Sequence, residues 1–149
     1  MTILLLIALV QAPVAGGSCR SDPSASASRD VRAAAAGIID ADNRGALEEV
    51  MAFYAADAAQ WPPDGPPVRG AAAIRPRYAR LFDEFTVHIT SEIHRLCADE
   101  RLAIVEGRNE VEKRRKTTGE RTTARDVFTM ILEKRDGRWQ ITHLVWAPG

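Results

Sequence analysis

An aspartate set into a hydrophobic strand pattern, Arg125-Asp126-Val127-Phe128, is the residue of this sequence with the clearest chemical potential. Facing an apolar cavity, its carboxyl would be pushed toward the neutral form and would donate a hydrogen bond to a ligand oxygen; facing water, it would pair with Arg125 or Arg77. Tyr54 and Tyr78 fall on apolar stripes of helical spacing, where a phenol either fills core or orients a ligand. Trp61, just before Pro62-Pro63-Asp64-Gly65-Pro66-Pro67, is placed either to close a cavity mouth or to anchor the loop, and Trp146 to line the cavity wall.

Other chemistry is less well supported. His88, Glu92 and His94 share one face of a strand pattern, but His88 and Glu92 would lie roughly 13 Å apart at about 3.3 Å per residue, too far to share a metal ion. Lys113-Arg114-Arg115-Lys116, with Arg121 and Arg125, reads as a solvated hairpin end balanced by Glu106, Glu110 and Glu112 rather than as a nucleic-acid surface. Twenty Lys plus Arg balance twenty Asp plus Glu, so no net field draws the chain to nucleic acid or anionic membrane. There is no phosphate-cradling glycine loop, no Cys/His metal spacing and no nucleophile elbow, so neither cofactor nor metal is expected.

The elements that must position these groups are legible in outline. At 149 residues the chain has the length of one domain. Val31, Ala34, Ala35, Ile38 and Ile39 predict a helix over 30–42. Asn43 is suited to cap a second helix carrying Leu47, Val50, Met51 and Tyr54 on one face. Residues 58–61 read as a short extended piece ending at the Pro-rich loop, and 70–84 as a helix compromised in its first turn by Pro76. The period then changes from helical to alternating, giving four long strands near 85–97, 101–113, 121–134 and 138–147. Helices followed by antiparallel strands make an α+β plan: three N-terminal helices packed on a strongly curved sheet of four long strands.

The last hairpin decides which side chains share a face. A three-residue loop with Gly137 in the left-handed position sets Asp126 opposite Trp146; a two-residue turn sets it opposite Ala147. The first option suits Lys134-Arg-Asp-Gly-Arg138 and puts Asp126, Phe128, Met130, Thr142, Leu144 and Trp146 on one face. Val127, Thr129, Ile131, Trp139, Ile141, His143 and Val145 then line the other. A sheet apolar on both sides needs two covers, so a homodimer through the Trp139 face is expected, with His143 structural within it.

The N-terminal end speaks to address. Residues 1–17 carry no charged side chain, with an apolar run over 3–10 and small residues at Ala15 and Gly17, the form of a signal peptide. The run is too short for a bilayer core, which needs roughly 20 residues. Residues 18–29 read as a flexible linker and the domain as 30–149. Export to a periplasmic or extracellular space is the expected result, and Cys19 after Gly-Gly-Ser invites a lipid tether at the membrane. Cys97 reads as a small buried hydrophobe; an oxidising compartment would allow a Cys19–Cys97 bridge, but two cysteines, one in a tail, do not by themselves argue it.

Gly45-Ala-Leu, Phe53-Tyr-Ala-Ala-Asp-Ala58, Pro66-Pro-Val-Arg-Gly-Ala-Ala-Ala-Ile74 and Asp136-Gly-Arg-Trp139, in that order, resemble the nuclear transport factor 2-like superfamily. The nearest members are the polyketide-cyclase-like (SnoaL-like) and ketosteroid-isomerase-like domains. The resemblance implies a cone whose bent sheet wraps a hydrophobic cavity, often dimeric through the sheet. Set against ketosteroid isomerase, Tyr54 and Tyr78 fall at supporting tyrosines, Asp126 at the oxyanion-hole acid and Trp146 at a pocket tryptophan. The base falls at Pro62 and the main oxyanion tyrosine at Ile38, and neither can do that work. Leu144 stands where many bacterial members carry an acid.

Together these features describe an exported domain that binds a small apolar molecule in a conical pocket formed by Tyr54, Trp61, Tyr78, Asp126, Phe128, Leu144 and Trp146. No catalytic set can be completed, with Asp126 the one weak candidate. An isomerase, dehydratase or cyclase recruiting another base, such as Asp57 or Asp64, is the alternative. A dimeric interaction module with a filled cone is the third reading.

Overall fold

Val31, Ala35 and Ile38 recur on one side of a helix and are all buried. That helix, α1, runs Ser26–Arg44 in the computed structural model, which describes residues 26–149. It begins earlier than the linker reading allowed, and Ser28 is already buried. The expected signal peptide, Cys19 and the rest of the expected linker lie outside the described residues.

Gly45 ends α1 at a φ of 63°, the left-handed conformation glycine tolerates. Its N–H bonds the Asp42 carbonyl (2.9 Å) and the Ala46 N–H bonds that of Ala41 (2.9 Å), a Schellman closure. Next comes a short α2 (Leu47–Ala52). Asn43 does not cap it. Instead Asn43 stays in α1, donates from Nδ2 to the Ile89 carbonyl (3.0 Å) and accepts the Ile89 N–H at Oδ1 (2.6 Å). The end of α1 is thereby pinned to a strand, Phe85–Ala98, which among the described residues has no further strand beyond it in the sheet.

Tyr54 opens a strand rather than closing a helix. β1 (Tyr54–Trp61) is longer than the sequence suggested, and a two-residue β2 (Val68–Arg69) returns beside it. After α3 (Ala71–Glu84) come β3 (Phe85–Ala98), β4 (Leu102–Arg115), β5 (Arg121–Arg135) and β6 (Arg138–Pro148). Among the described residues the sheet has six strands, not four, in the order β2-β1-β6-β5-β4-β3. Its pairings are antiparallel except that β1 runs parallel to β6. The three helices and curved sheet are otherwise as expected.

The final hairpin corrects the predicted register. Arg135 pairs with Arg138 across a two-residue turn in which Asp136 and Gly137 both have positive φ (51° and 77°), the combination that follows strand twist. Further along β6 the register slips: Leu132 pairs with Ile141, but Ile131 pairs with His143. Thr142 is the extra residue of this bulge, its hydroxyl donating to the Ile131 carbonyl (3.4 Å).

The slip explains why the face assignment was half right. Phe128 stands across from Trp146 and Met130 from Leu144, on the inner face as predicted, while Asp126 pairs with Pro148. On the turn side of the bulge, Trp139 and Ile141 also point inward, 7% and 1% exposed within the core. Trp139 therefore cannot present a dimer face. The outer face there carries Val127, Thr129, Ile131, His143 and Val145, with Val127 and Val145 exposed.

Candidate functional site

Alternation along β3, β5 and β6 turns apolar side chains toward α1 and α3, and the space between sheet and helices is not filled. A hollow of about 990 Å³ lies there, walled by Ile38 and Ile39 of α1, Leu81 of α3, and Phe128, Met130, Leu144 and Trp146 of the sheet. This is the volume range of small-molecule sites. Tyr78, Asp126, Phe128, Leu144 and Trp146 all line it, five of the seven residues expected there.

The other two are placed differently. Tyr54 is buried one hydrogen bond behind the wall, its hydroxyl 2.9 Å from that of Tyr78. Trp61 is no lid. It pairs with Val145 on the outer side of the sheet, stacks on His143 (centroids 5.2 Å, planes 18° apart) and lies under the Arg69 guanidinium. The parallel β1–β6 pairing sends Gln60 inward with Leu144, so its neighbour Trp61 must face outward.

Gln60 supplies what the sequence reading lacked. Buried on the inner face, it donates from Nε2 to the Tyr54 hydroxyl (2.9 Å). The Tyr54 hydroxyl thus accepts from Gln60 and shares a second hydrogen bond with Tyr78, in which either phenol can be the donor. Burial pushes both phenols well above the usual range, so they act as neutral donors.

Asp126 is half-buried and accepts a hydrogen bond at Oδ1 from Asn109 Nδ2 (2.9 Å), its cross-strand partner on β4. Burial raises its pKa, and the Asn109 bond, favouring the charged form, opposes part of that rise. Arg125, one of the expected alternative partners, is paired with Glu110.

Asp42 was missed. It occupies the next position of the stripe Val31, Ala35, Ile38, where helical spacing calls for an apolar residue, and that conflict was the available signal. It is 6% exposed and lines the same hollow, and its Oδ1 is buried with no hydrogen-bond partner among the described residues. Burial pushes its pKa up to about 7. Its charge acts on both Tyr54 and Tyr78, so the acid and the two phenols form one electrostatic group.

The remaining expectations resolve simply. Asp57 is held outside the hollow by Arg135 (2.5 Å), which lowers its pKa, whereas Asp64 stands on the hollow's wall. Ile38, at the position of the oxyanion tyrosine, also lines the hollow. Glu92 is engaged by Arg108 (2.6 Å), and the His94 ring is 3.7 Å from it. Among the described residues no group of three His, Cys, Asp or Glu is arranged to hold a metal. Arg115 pairs with Glu84, Arg121 with Glu112, and Lys116 donates to the Phe82 carbonyl. Cys97 is disulfide-bonded, not a simple buried hydrophobe.

A helix-backed cone with this hollow is the architecture the motifs implied. The family model of the SnoaL-like domain matches residues 35–141. The chain belongs to the SnoaL-like domain family. Its fold is that of the nuclear transport factor 2-like proteins. A ketosteroid isomerase-like protein from Erwinia carotovora atroseptica superposes with a TM-score of 0.73 at 24% identity, covering 80% of this chain and 94% of that one. A nuclear transport factor 2-like protein from Shewanella oneidensis gives 0.64 at 24% identity, covering 79% and 96%. A nuclear transport factor 2-like protein with a cystatin-like fold from Novosphingobium aromaticivorans gives 0.67 at 12%, covering 82% and 81%. No curated protein matches the chain in sequence.

Proposed function

We propose that this SnoaL-like domain is exported and binds a small, largely apolar molecule in its hollow, with Tyr78 and Asp126 orienting a polar end. The observation that carries this reading is the unfilled, apolar-walled space of about 990 Å³ onto which both polar groups open. Covering roughly 300 Å² of apolar ligand surface at ~25 cal/mol per Å² is worth about 7 kcal/mol before association costs, enough to hold a ligand of modest size. Export rests on the charge-free leader, and the disulfide at Cys97 is chemistry of oxidising compartments. A homodimer through the outer sheet face is supported by the exposed Val127 and Val145.

Native mass spectrometry of protein purified from its own host tests these together. The expected result is a dimer, beginning near Ser18, carrying a small-molecule adduct. Protein that arrives empty and leaves Trp146 fluorescence unchanged on titration with apolar probes would overturn the binding reading.

A second reading, a proton-transferring isomerase, dehydratase or cyclase, is favoured by one observation. Asp42 and Asp126 are two raised carboxyls on one hollow, and acid–base chemistry needs two groups. Turnover that survives purification and is lost on replacing either acid would favour it over simple binding.

A further inference from the structure

The charges around the hollow do not balance once their partners are counted. Arg77 and Arg80 of α3 and Lys113 of β4 line it, and none of the three is in an ion pair among the described residues. The other cation of the wall, Arg125, is taken up by Glu110 (3.1 Å). Of the acids there, Asp40 is bound by Arg44 (3.0 Å), Glu84 by Arg115 (3.4 Å) and Asp126 by Asn109 (2.9 Å). Burial raises the pKa of both Asp42 and Asp126, which lowers the negative charge they carry. Asp64, on the Pro-rich loop, is the remaining acid. An otherwise apolar wall thus keeps three uncommitted cations.

We propose that Arg77, Arg80 and Lys113 receive the carboxylate of an amphiphilic acid whose apolar tail fills the hollow. The inference rests on the ligand-binding reading and names its ligand class, a fatty or similarly apolar carboxylic acid that is ionised at neutral pH. A planar guanidinium can take both oxygens of a carboxylate through parallel hydrogen bonds, and an ammonium adds a point charge beside it. A neutral head gains neither, and an amine head is repelled.

The fold brings these cations to one end of the hollow. Arg77 and Arg80 stand three residues apart on α3, the spacing of neighbours on a helix surface. Lys113 joins them from the sheet, because the end of β4 is fastened to the last turn of α3. Arg115 reaches Glu84, the Lys116 side chain donates to the Phe82 carbonyl, and the Lys116 N–H bonds the Glu84 carbonyl (2.9 Å). Lys113 itself lies 5.8 Å from the centroid of the Phe85 ring, which also lines the hollow. Arg77 and Lys113 are half-buried and Arg80 is exposed, so the head is partly shielded from water while the tail runs inward. Asp126 stands clear of it. Its partner Asn109 is four residues before Lys113 on β4, roughly 13 Å away at about 3.3 Å per residue. Leu81, Phe128, Leu144 and Trp146 continue the wall as an apolar lining for the tail.

The test is titration calorimetry of the protein with decanoate, decan-1-ol and decylamine, which share one tail and differ in head charge near neutral pH. In dilute buffer decanoate is expected to bind at least about tenfold more tightly than decanol, the worth of a charge-assisted hydrogen bond, and decylamine more weakly than either. Raising the salt to about 0.5 M should narrow the gap between decanoate and decanol, because the cations are partly exposed and their field is screened. Arg77→Gln and Lys113→Gln should each weaken decanoate by roughly threefold to tenfold and leave decanol affinity unchanged, which also certifies that the variants fold. Together they should abolish the preference for the acid. Decanol binding as tightly as decanoate, or a preference that survives the double substitution, would overturn the carboxylate site and leave the binding reading standing. Binding of none of the three probes would overturn both.

Discussion

The hydroxyls of Tyr54 and Tyr78 lie 2.9 Å apart, although one side chain rises from the first strand and the other from the helix after the Pro-rich loop. Their rings are tilted at 52° with centroids 5.9 Å apart, so the contact joins the inner side of β1 to α3 through a polar bond. Tyr54→Phe is expected to cost about 1–3 kcal/mol, because buried Gln60 loses its acceptor. Tyr78→Phe should cost less, since the hollow can hydrate the Tyr54 hydroxyl it uncovers. Urea denaturation of the two variants checks the order.

Asp42 should make stability fall with pH over a defined window. Unfolded, it titrates near 3.8; folded, at about 7. Between those values the native state holds a proton that the unfolded state has released, so ΔG of unfolding decreases as pH rises and levels off above about 7. At about 1.4 kcal/mol per pH unit the full effect approaches roughly 4 kcal/mol. Asp42→Asn should gain on the parent across that window by a comparable amount, whatever its offset at low pH. Urea midpoints measured from about pH 4 to pH 8 read this directly.

Gly107, mid-strand in β4, is required by close approach. A Cβ there would meet the Glu92 carbonyl oxygen and lie 2.9 Å from two carbons of the Phe128 ring. Gly107→Ala should destabilise by about 1–3 kcal/mol and displace Phe128 from the hollow's wall. Adding Phe128→Leu, which withdraws the ring, should recover part of the loss in a double-mutant cycle, and additivity instead would place the whole cost on the β3 backbone.

Asn109 should hold the Asp126 pKa below what burial alone would set, because its N–H favours the carboxylate. Asn109→Leu is expected to raise the Asp126 titration midpoint. Carbon NMR of the side-chain carboxyl reports it without relying on activity. An unchanged midpoint would mean solvent, not Asn109, satisfies the carboxylate.

Much of this architecture was legible in the residues because it depends on local periodicity. The stripe of α1, the alternation from Phe85 onward and the Asp136-Gly137 turn each need only neighbours within a few positions to reveal them. Tyr54 defeated that reading: Leu47, Val50 and Met51 continue to it at helical spacing, but the Ile141 N–H bonds the Phe53 carbonyl (2.7 Å) and draws Tyr54 and its successors into the sheet. A partner far along the chain outweighed a local propensity.

The sequence by itself determined the family, the α+β plan, and that Asp126, Phe128, Leu144 and Trp146 share a face. Only the tertiary structure decided that Trp139 joins that face, that Trp61 leaves the hollow and that Asp42 enters it. The reason is geometric. A single extra residue at Thr142 changes which side of the sheet every later side chain takes, and a carboxyl at a helix end becomes a buried acid only once Asn43 has tied that end to β3.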